Sequence, residues 1–180
     1  MSKKILVIST SPRKGGNSDL LANEFVRGAQ DAGNSVEKIS LYDKTIGFCR
    51  GCLTCQKTLR CIIHDDADAI AQNMMAADVI AFATPIYYYG MCGQMKTMLD
   101  RSNPLYSSNY QFRDIYLLAA AAEEDKSTAD GAINGLQGWI TCFEKARLAG
   151  TVFGGGVTAV GEIKRHPALK KAYEMGAAIR

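Results

Sequence analysis

A chain of 180 residues with 47% hydrophobic and 22% charged side chains has enough apolar content to bury one sizeable core without a disulfide framework. Its net charge of +3 comes from lysines and arginines spread along the sequence, which excludes the concentrated basic stripe that nucleic-acid binding calls for. No apolar stretch reaches the roughly 20 residues of a membrane-spanning helix. The expectation is a single domain over residues 1–180, cytoplasmic, with neither nucleic acid nor membrane as partner.

Lys3 and Lys4 stand before an apolar run, as in a secretory signal, but the run ends at Ile8 and soon meets Arg13 and Lys14. Lys3 to Ile8 is therefore read as a strand, and Ile5, Leu6, Val7 and Ile8 without polar alternation predict one buried on both faces. Asn17 or Ser18 suits an N-cap, and Leu21, Phe25 and Ala29 share a helical face up to Gly33. Val36 to Leu41 resembles a second strand. A cysteine-rich insertion over residues 47–64 follows, with no simple period, until a helix starts near Asp65 or Asp66.

Val79 to Ala83 is a third buried strand, followed by a helix from Gly93 to Arg101 with Met95, Met98 and Leu99 inward. Ile115 to Ala121 predicts a fourth strand, Thr128 to Ala146 a long helix, Thr151 to Val157 a fifth strand, and Pro167 the first residue of a last helix. Regular alternation of this kind predicts an α/β three-layer sandwich. Right-handed crossovers place helices on both faces of a five-stranded parallel sheet, and the ligand crevice beyond the carboxyl ends of its strands.

The first strand runs into Ser9-Thr10-Ser11-Pro12-Arg13-Lys14-Gly15-Gly16-Asn17-Ser18. Hydroxyls, a guanidinium and a helix N-terminus are the groups that a terminal phosphate attracts. The three spaced glycines of a dinucleotide loop are absent, as is the Gly-Lys-Ser/Thr ending of a nucleoside-triphosphate loop, so a mononucleotide fits better. A polar turn before a capped helix is the plainer alternative. The third strand ends in Thr84-Pro85-Ile86-Tyr87-Tyr88-Tyr89-Gly90, a wall of aromatic rings for a planar heterocycle, with Gly90 letting backbone amides approach its edge. Packing or an oligomer contact would also use such tyrosines.

Ser9 through Arg13 with Asn17-Ser18, Pro85-Ile86-Tyr87, and Lys96 to Asp100-Arg101 together resemble the NADPH-dependent FMN reductase branch of the flavodoxin-like superfamily. The resemblance spans nearly the whole chain and implies the strand order 2-1-3-4-5. It further implies that Ser9, Ser11, Arg13, Asn17 and Ser18 hold the FMN phosphate, and that Pro85, Ile86, Tyr87, Tyr88, Tyr89 and Gly90 face the ribityl chain and flavin. Ala121 to Glu123 would close the third side, although alanines and acids stand here where relatives often carry glycines or hydroxyls. A homodimer or homotetramer is implied as well, with Asn103 to Tyr110 as a contact segment.

Cys49, Cys52, Cys55 and Cys61 follow the pattern C-x2-C-x2-C-x5-C, and so dense a group in a cytosolic chain points to metal or redox chemistry. Three thiolates two residues apart can take three corners of a cubane, and the fourth the last corner. The spacing resembles that of the iron–sulfur flavoproteins, implying a [4Fe-4S] cluster beside FMN; zinc and metal-free thiols remain alternatives. Cys92 and Cys142 are expected to be packing residues, Cys142 within an apolar helix. His64 and His166 are assigned to a loop and a helix start.

The resulting expectation is an FMN-dependent oxidoreductase in which NAD(P)H or another donor reduces the flavin. Its electrons then pass to a small molecule or a ferredoxin-type carrier. No side chain is nominated as catalytic, because the cofactor carries the chemistry. Two alternatives stand beside it: a nonenzymatic flavodoxin-type electron carrier, and a cysteine-based metal-binding or redox-sensing module.

Overall fold

The computed structural model describes residues 2–180. In chain order the elements are β1 (Lys4–Ser9), α1 (Asn17–Asp31), β2 (Ser35–Ser40), the single-turn α2 (Cys55–Thr58), α3 (Asp66–Ala76), β3 (Val79–Tyr87) and β4 (Gly90–Met91). They continue with α4 (Gly93–Arg101), β5 (Asp114–Ala120), α5 (Asp130–Ile140), β6 (Arg147–Gly154) and α6 (Pro167–Ala177).

β2, β1, β3, β5 and β6 lie side by side in that order, all parallel. Counted alone, these five have the expected order 2-1-3-4-5 of a flavodoxin-like sheet. The sixth strand departs from the expectation of five: β4 is a two-residue antiparallel arm that folds back on the end of β3.

Why the strands read as unbroken apolar runs is visible in the two cores. Ile5, Val7, Val79 and Ala81 point to one face, where α1 contributes Leu21 and Phe25 and α6 contributes Ala168 and Ala172. Leu6, Ile8, Ile80 and Phe82 point to the other, against Ile70 and Met74 of α3, Met95 and Met98 of α4, and Leu136 of α5. Each such aliphatic or aromatic side chain contributes roughly 1.5–3 kcal/mol on burial, so neither face can be polar. α1 and α6 cross with their backbones nearly touching. A Cβ on Gly28 would stand 2.0 Å from the Tyr173 carbonyl oxygen, and one on Gly176 2.2 Å from that of Phe25.

Helix starts follow local chemistry. Asp65 caps α3 by accepting the Ala67 N–H at 3.1 Å, and His166 caps α6 by accepting the Ala168 N–H on Nδ1 at 3.1 Å, with Pro167 in the first turn.

Three expected boundaries are corrected. The strand expected to end at Ala83 runs on to Tyr87, because Thr84 and Pro85 stay paired with Ala119 and Ala120 of β5. The helix expected from Thr128 to Ala146 is confined to Asp130–Ile140. Its end tightens through Cys142 N–H to Trp139 and Phe143 N–H to Ile140 bonds, which swings Phe143 into the aromatic group of Phe112 and Trp139. Cys142 consequently lies outside the helix and exposed, contrary to the packing role expected for it. The last strand begins at Arg147 rather than Thr151, anchored by Arg147 to Asp114 on β5 at 2.7 Å, and ends at Gly154. Among the described residues no helix is long and apolar enough to cross a membrane.

Candidate functional site

The carboxyl ends of β1 and β3 are neighbours, with Ser9 paired to Ala83. Past this last pair the chains stay joined, because Thr10 donates both its N–H and its hydroxyl to the Ala83 carbonyl at 2.8 Å. Cys92, the N-cap residue of α4, completes the junction. Its thiol lies 3.2 Å from the Thr10 hydroxyl and donates to the Thr10 carbonyl at 3.3 Å, while its N–H donates to the Thr84 hydroxyl at 3.1 Å. All three residues are buried. The expected anion loop and aromatic loop therefore meet at one rim of the sheet, locked by Thr10, Thr84 and Cys92, none of which was nominated as a site residue.

Within the first loop the nominated residues divide by task. Ser9, at the end of β1, donates its hydroxyl to Asp19 at 2.6 Å, and Lys38 pairs with the same carboxylate oxygen at 2.6 Å. That hydroxyl is committed inside the fold. Ser11 shapes the turn, donating to the Arg13 carbonyl at 2.9 Å and accepting the Arg13 N–H at 3.2 Å. Arg13 donates to the Thr158 carbonyl at 3.0 Å. Asn17 donates to the Ala159 carbonyl at 3.0 Å and accepts the Ile163 N–H at 3.3 Å, so both hold the loop against the segment after β6.

Ser18 differs from the others. Its hydroxyl is buried with no hydrogen-bond partner among the described residues. Leaving such a group unpaired costs about 1–3 kcal/mol. No side chain caps α1, whose first bonded amide on the loop side is Leu20 to Gly16. The first-turn N–H groups and the positive end of the helix dipole stay open beside the orphan hydroxyl. This donor set fits a phosphate.

In the second loop, Tyr88 and Tyr89 form a two-residue turn between Tyr87 and Gly90, with φ of 49° and 63°. A hairpin of this kind needs left-handed backbone at both central positions, ordinarily supplied by Asn and Gly. Two tyrosines hold it here at a conformational cost of about 1–2 kcal/mol each. The start of α5 presses against the turn: a Cβ on Gly131 would sit 2.2 Å from the Tyr89 carbonyl oxygen. Tyr88 and Tyr89 project outward and, with Ile86, Ala121, Ala122, Glu123 and Thr128, line a cavity of about 210 Å³. Ala121 to Glu123 thus lie beside the tyrosine turn. Tyr87 does not line this cavity, and Pro85 is buried within β3.

All four nominated cysteines line one separate cavity of about 370 Å³, together with Ile62, Asp100 and Asn103. The loop curls through three left-handed positions, Gly51, Leu53 and Leu59. Asn103 donates its amide to the Cys55 sulfur at 3.1 Å, and the Gly51 N–H donates to Cys49 at 3.4 Å. Hydrogen bonds from the Thr54 backbone and hydroxyl hold the Cys52 thiol below its ordinary range, with Arg50 adding a favourable charge. A single zinc ion needs sulfurs within about 2.3 Å of one point. Among the described residues no three metal-binding side chains converge so; the four free thiols that line this one cavity are a soft donor set, suited to a soft ion or to a group of several atoms with soft corners.

The loop is rooted by Arg101, the last residue of α4. This guanidinium is 1% exposed and makes two bonds to Asp65, of 2.7 and 2.8 Å. It also donates to the carbonyls of Gly47 at 2.7 Å and Ile63 at 3.1 Å, the two ends of the cysteine segment. Burial pushes the Asp65 carboxyl up, but the bonds from Arg101 and Gly47 outweigh it and hold the group below its ordinary value. The segment expected as an oligomer contact is partly consumed here. Pro104 and Leu105 are buried, and Ser107 donates to the Gln56 carbonyl at 2.7 Å, leaving Tyr106 exposed.

The NADPH-dependent FMN reductase family matches over residues 3–162. This chain belongs to that family. It is similar to an iron–sulfur flavoprotein of Methanocaldococcus jannaschii, 41% identical over 102 residues, which are 57% of this chain and 53% of that protein. An iron–sulfur flavoprotein of Methanosarcina thermophila is 32% identical over 62% of this chain and 58% of its own length. The chain spans about half the length of the curated relatives it matches. Among solved structures, the Trp repressor binding protein from Bacillus subtilis superposes with a TM-score of 0.69 at 25% identity, over 95% of this chain and 96% of that one. The chain shares its fold with the NAD(P)H:quinone oxidoreductase from Methanothermobacter marburgensis as well, at 14% identity and a TM-score of 0.72 over the full length of both.

Proposed function

We propose that this chain is an FMN-dependent oxidoreductase that takes electrons from NAD(P)H and delivers them to an external acceptor. The observation that carries the reading is the Ser18 hydroxyl, buried and unpartnered at the uncapped start of α1, one strand away from the Tyr88-Tyr89 turn. The α1 amides, Ser18 and Arg13 would hold the phosphate. Ser11 and Asn17 would keep the loop in shape. Ile86, Tyr88, Tyr89, Ala121 and Glu123 would border the ring. Thr10, Cys92 and Thr84 hold the two halves at a fixed spacing and exclude water between them.

When bound, FMN supplies acceptance of a hydride from a nicotinamide and release of the electrons to an acceptor. Tyr88 and Tyr89 are exposed to solvent, so a donor and an acceptor would reach the ring from that side in succession. Four thiols around one cavity, and the names of the iron–sulfur flavoprotein relatives, support a second reading on the same scaffold. In it Cys49, Cys52, Cys55 and Cys61 would hold a [4Fe-4S] cluster that exchanges single electrons with a ferredoxin-type partner. A homodimer or homotetramer belongs to the same reading, and of the segment expected to form its contact Tyr106 is left exposed.

FMN titration followed by anaerobic stopped-flow mixing with NADPH and NADH tests the leading reading. Quenched flavin fluorescence and rapid bleaching of the bound flavin are expected. Binding without reduction by either nucleotide would leave a nonenzymatic carrier, and absence of binding would remove the flavin reading altogether.

A further inference from the structure

The segment after β6 touches both ends of the proposed flavin cleft. At its start the Val157 N–H donates to the Ala121 carbonyl at 2.9 Å and the Gly156 N–H to that of Glu123 at 3.2 Å, on the wall that would border the ring. The approach leaves no room for a side chain: a Cβ on Gly155 would stand 2.6 Å from the Glu123 carbonyl oxygen. Further on, the same segment meets the anion loop, where the Thr158 carbonyl accepts from Arg13 and the Ala159 carbonyl from Asn17, each at 3.0 Å. The Ile163 N–H closes this junction by donating to Asn17 at 3.3 Å, and both of these residues are buried.

Glu162 holds the second junction in shape. One of its carboxylate oxygens accepts the Thr158 N–H at 2.6 Å and the Ala159 N–H at 2.9 Å, with Gly161 at a φ of 81° turning the chain back between them. Bonds to a carboxylate are the stronger kind. The Ala159 N–H and the Thr158 carbonyl belong to one planar peptide. The bond that Glu162 takes from the first therefore fixes the direction of the second, on which Arg13 rests. Arg13 spends Nη1 there, which leaves Nη2 and Nε for an anion.

We propose that Glu162 is a positioning residue for the phosphate of FMN: its carboxylate clasps the turn after β6, the turn holds Arg13 and Asn17, and these fix the anion loop beside Ser18. The inference rests on the flavin reading given above and adds to it a residue outside both loops. Two consequences separate it from a role in folding alone. The effect should fall on the phosphate and spare the ring, because the wall of Ala121 and Glu123 is held by the bonds from Val157 and Gly156, in which Glu162 has no part. It should also follow the acceptor oxygen, because Gln can offer an oxygen to the same two amides and Ala cannot.

The test compares the full wild-type chain with E162A and E162Q. Fluorescence titration gives the dissociation constants of FMN and of riboflavin, which has the same ring and no phosphate, and urea unfolding of the flavin-free proteins reports the fold. E162A should bind FMN about tenfold more weakly, the scale of one hydrogen bond to a charged group. Its riboflavin affinity should stay as in wild type, so that the preference for FMN falls by the same factor. E162Q should keep that preference within about threefold of wild type. An undiminished preference in E162A, whatever its stability, would overturn the assignment while leaving the flavin reading intact, and so would an E162Q that falls as far as E162A. If E162A does not fold, E162D decides, its carboxylate drawn back by one methylene: an unchanged preference overturns the proposal. Wild-type protein that binds neither flavin, or both alike, would bring down the phosphate reading and this inference with it.

Discussion

The Thr10 hydroxyl lies 3.2 Å from the thiol of Cys92, a residue 82 positions further along the chain. Through this contact the anion loop, the end of β3 and the start of α4 share one buried polar knot. Replacing Cys92 by Ala opens a small void and strips partners from Thr10 and Thr84. C92A should be destabilised by about 1–3 kcal/mol, and its FMN affinity should fall. C92S, which keeps a donor and an acceptor, should lose less of both. Urea unfolding and flavin fluorescence titration measure the two effects, and C92A behaving as wild type in both would show that the knot does not couple the loops.

Ser18 gives a prediction with opposite signs in two states. Without flavin its buried hydroxyl is unsatisfied, so S18A should leave stability unchanged or raise it by about 1 kcal/mol. With FMN present, loss of a hydrogen bond to a charged phosphate should weaken binding by about 1.5–3 kcal/mol, tenfold or more. Thermal unfolding of the flavin-free protein and an FMN binding isotherm provide the comparison. A drop in both would mark Ser18 as an ordinary packing residue.

Tyr88 holds a φ of 49° with its side chain fully in solvent. Y88G removes the left-handed penalty and should stabilise the flavin-free chain by about 1 kcal/mol. The same change removes a wall of the cleft and should weaken FMN binding. Chemical denaturation and flavin titration of Y88G test this trade, and unchanged affinity would place the Tyr88 ring outside the flavin contact.

The Asp65 carboxyl is held below its ordinary value in the folded chain, despite burial. A depressed folded pKa means that the unfolded state binds the proton more readily. The stabilisation is therefore complete above the unfolded value of about 3.9 and is lost as pH falls through the lower folded value. D65N leaves the Arg101 charge buried without its partner and should cost about 3–5 kcal/mol near pH 7. That difference from wild type should shrink in acid below about pH 4. Parallel unfolding curves from pH 7 to pH 3 would reveal it, and a gap independent of pH would assign the loss to packing.

Much of this arrangement was legible because the relevant signals are local. Unbroken apolar runs mark β1 and β3, and a ligand crevice beyond the carboxyl ends of the strands puts the loops of Ser11 and Tyr88 at the same rim. The cysteine spacing placed four thiols on one loop, and they do share one cavity. What sequence spacing does not carry is the long-range partner. Ser9 looks like a phosphate ligand until Asp19 takes its hydroxyl, and Asn17 until Ala159 and Ile163 claim its amide. The α5 boundary was misplaced because Phe143 continues the apolar pattern while leaving the helix to reach Phe112. Arg101 fell within a recognisable helix and gave no sign that its guanidinium would be buried among Gly47, Ile63 and Asp65.

α4 is capped by Cys92, in the knot beside the anion loop, and ends at Arg101, in the root of the cysteine segment. At about 1.5 Å per residue, those nine steps make a stiff rod of roughly 13 Å. The helix thereby acts as a ruler between the flavin cleft proposed above and the cysteine loop. A residue inserted into it would change both the separation and the relative orientation of the two sites at once, by about 1.5 Å and 100°. The cysteine loop can therefore shift on its roots without altering the spacing that the helix sets.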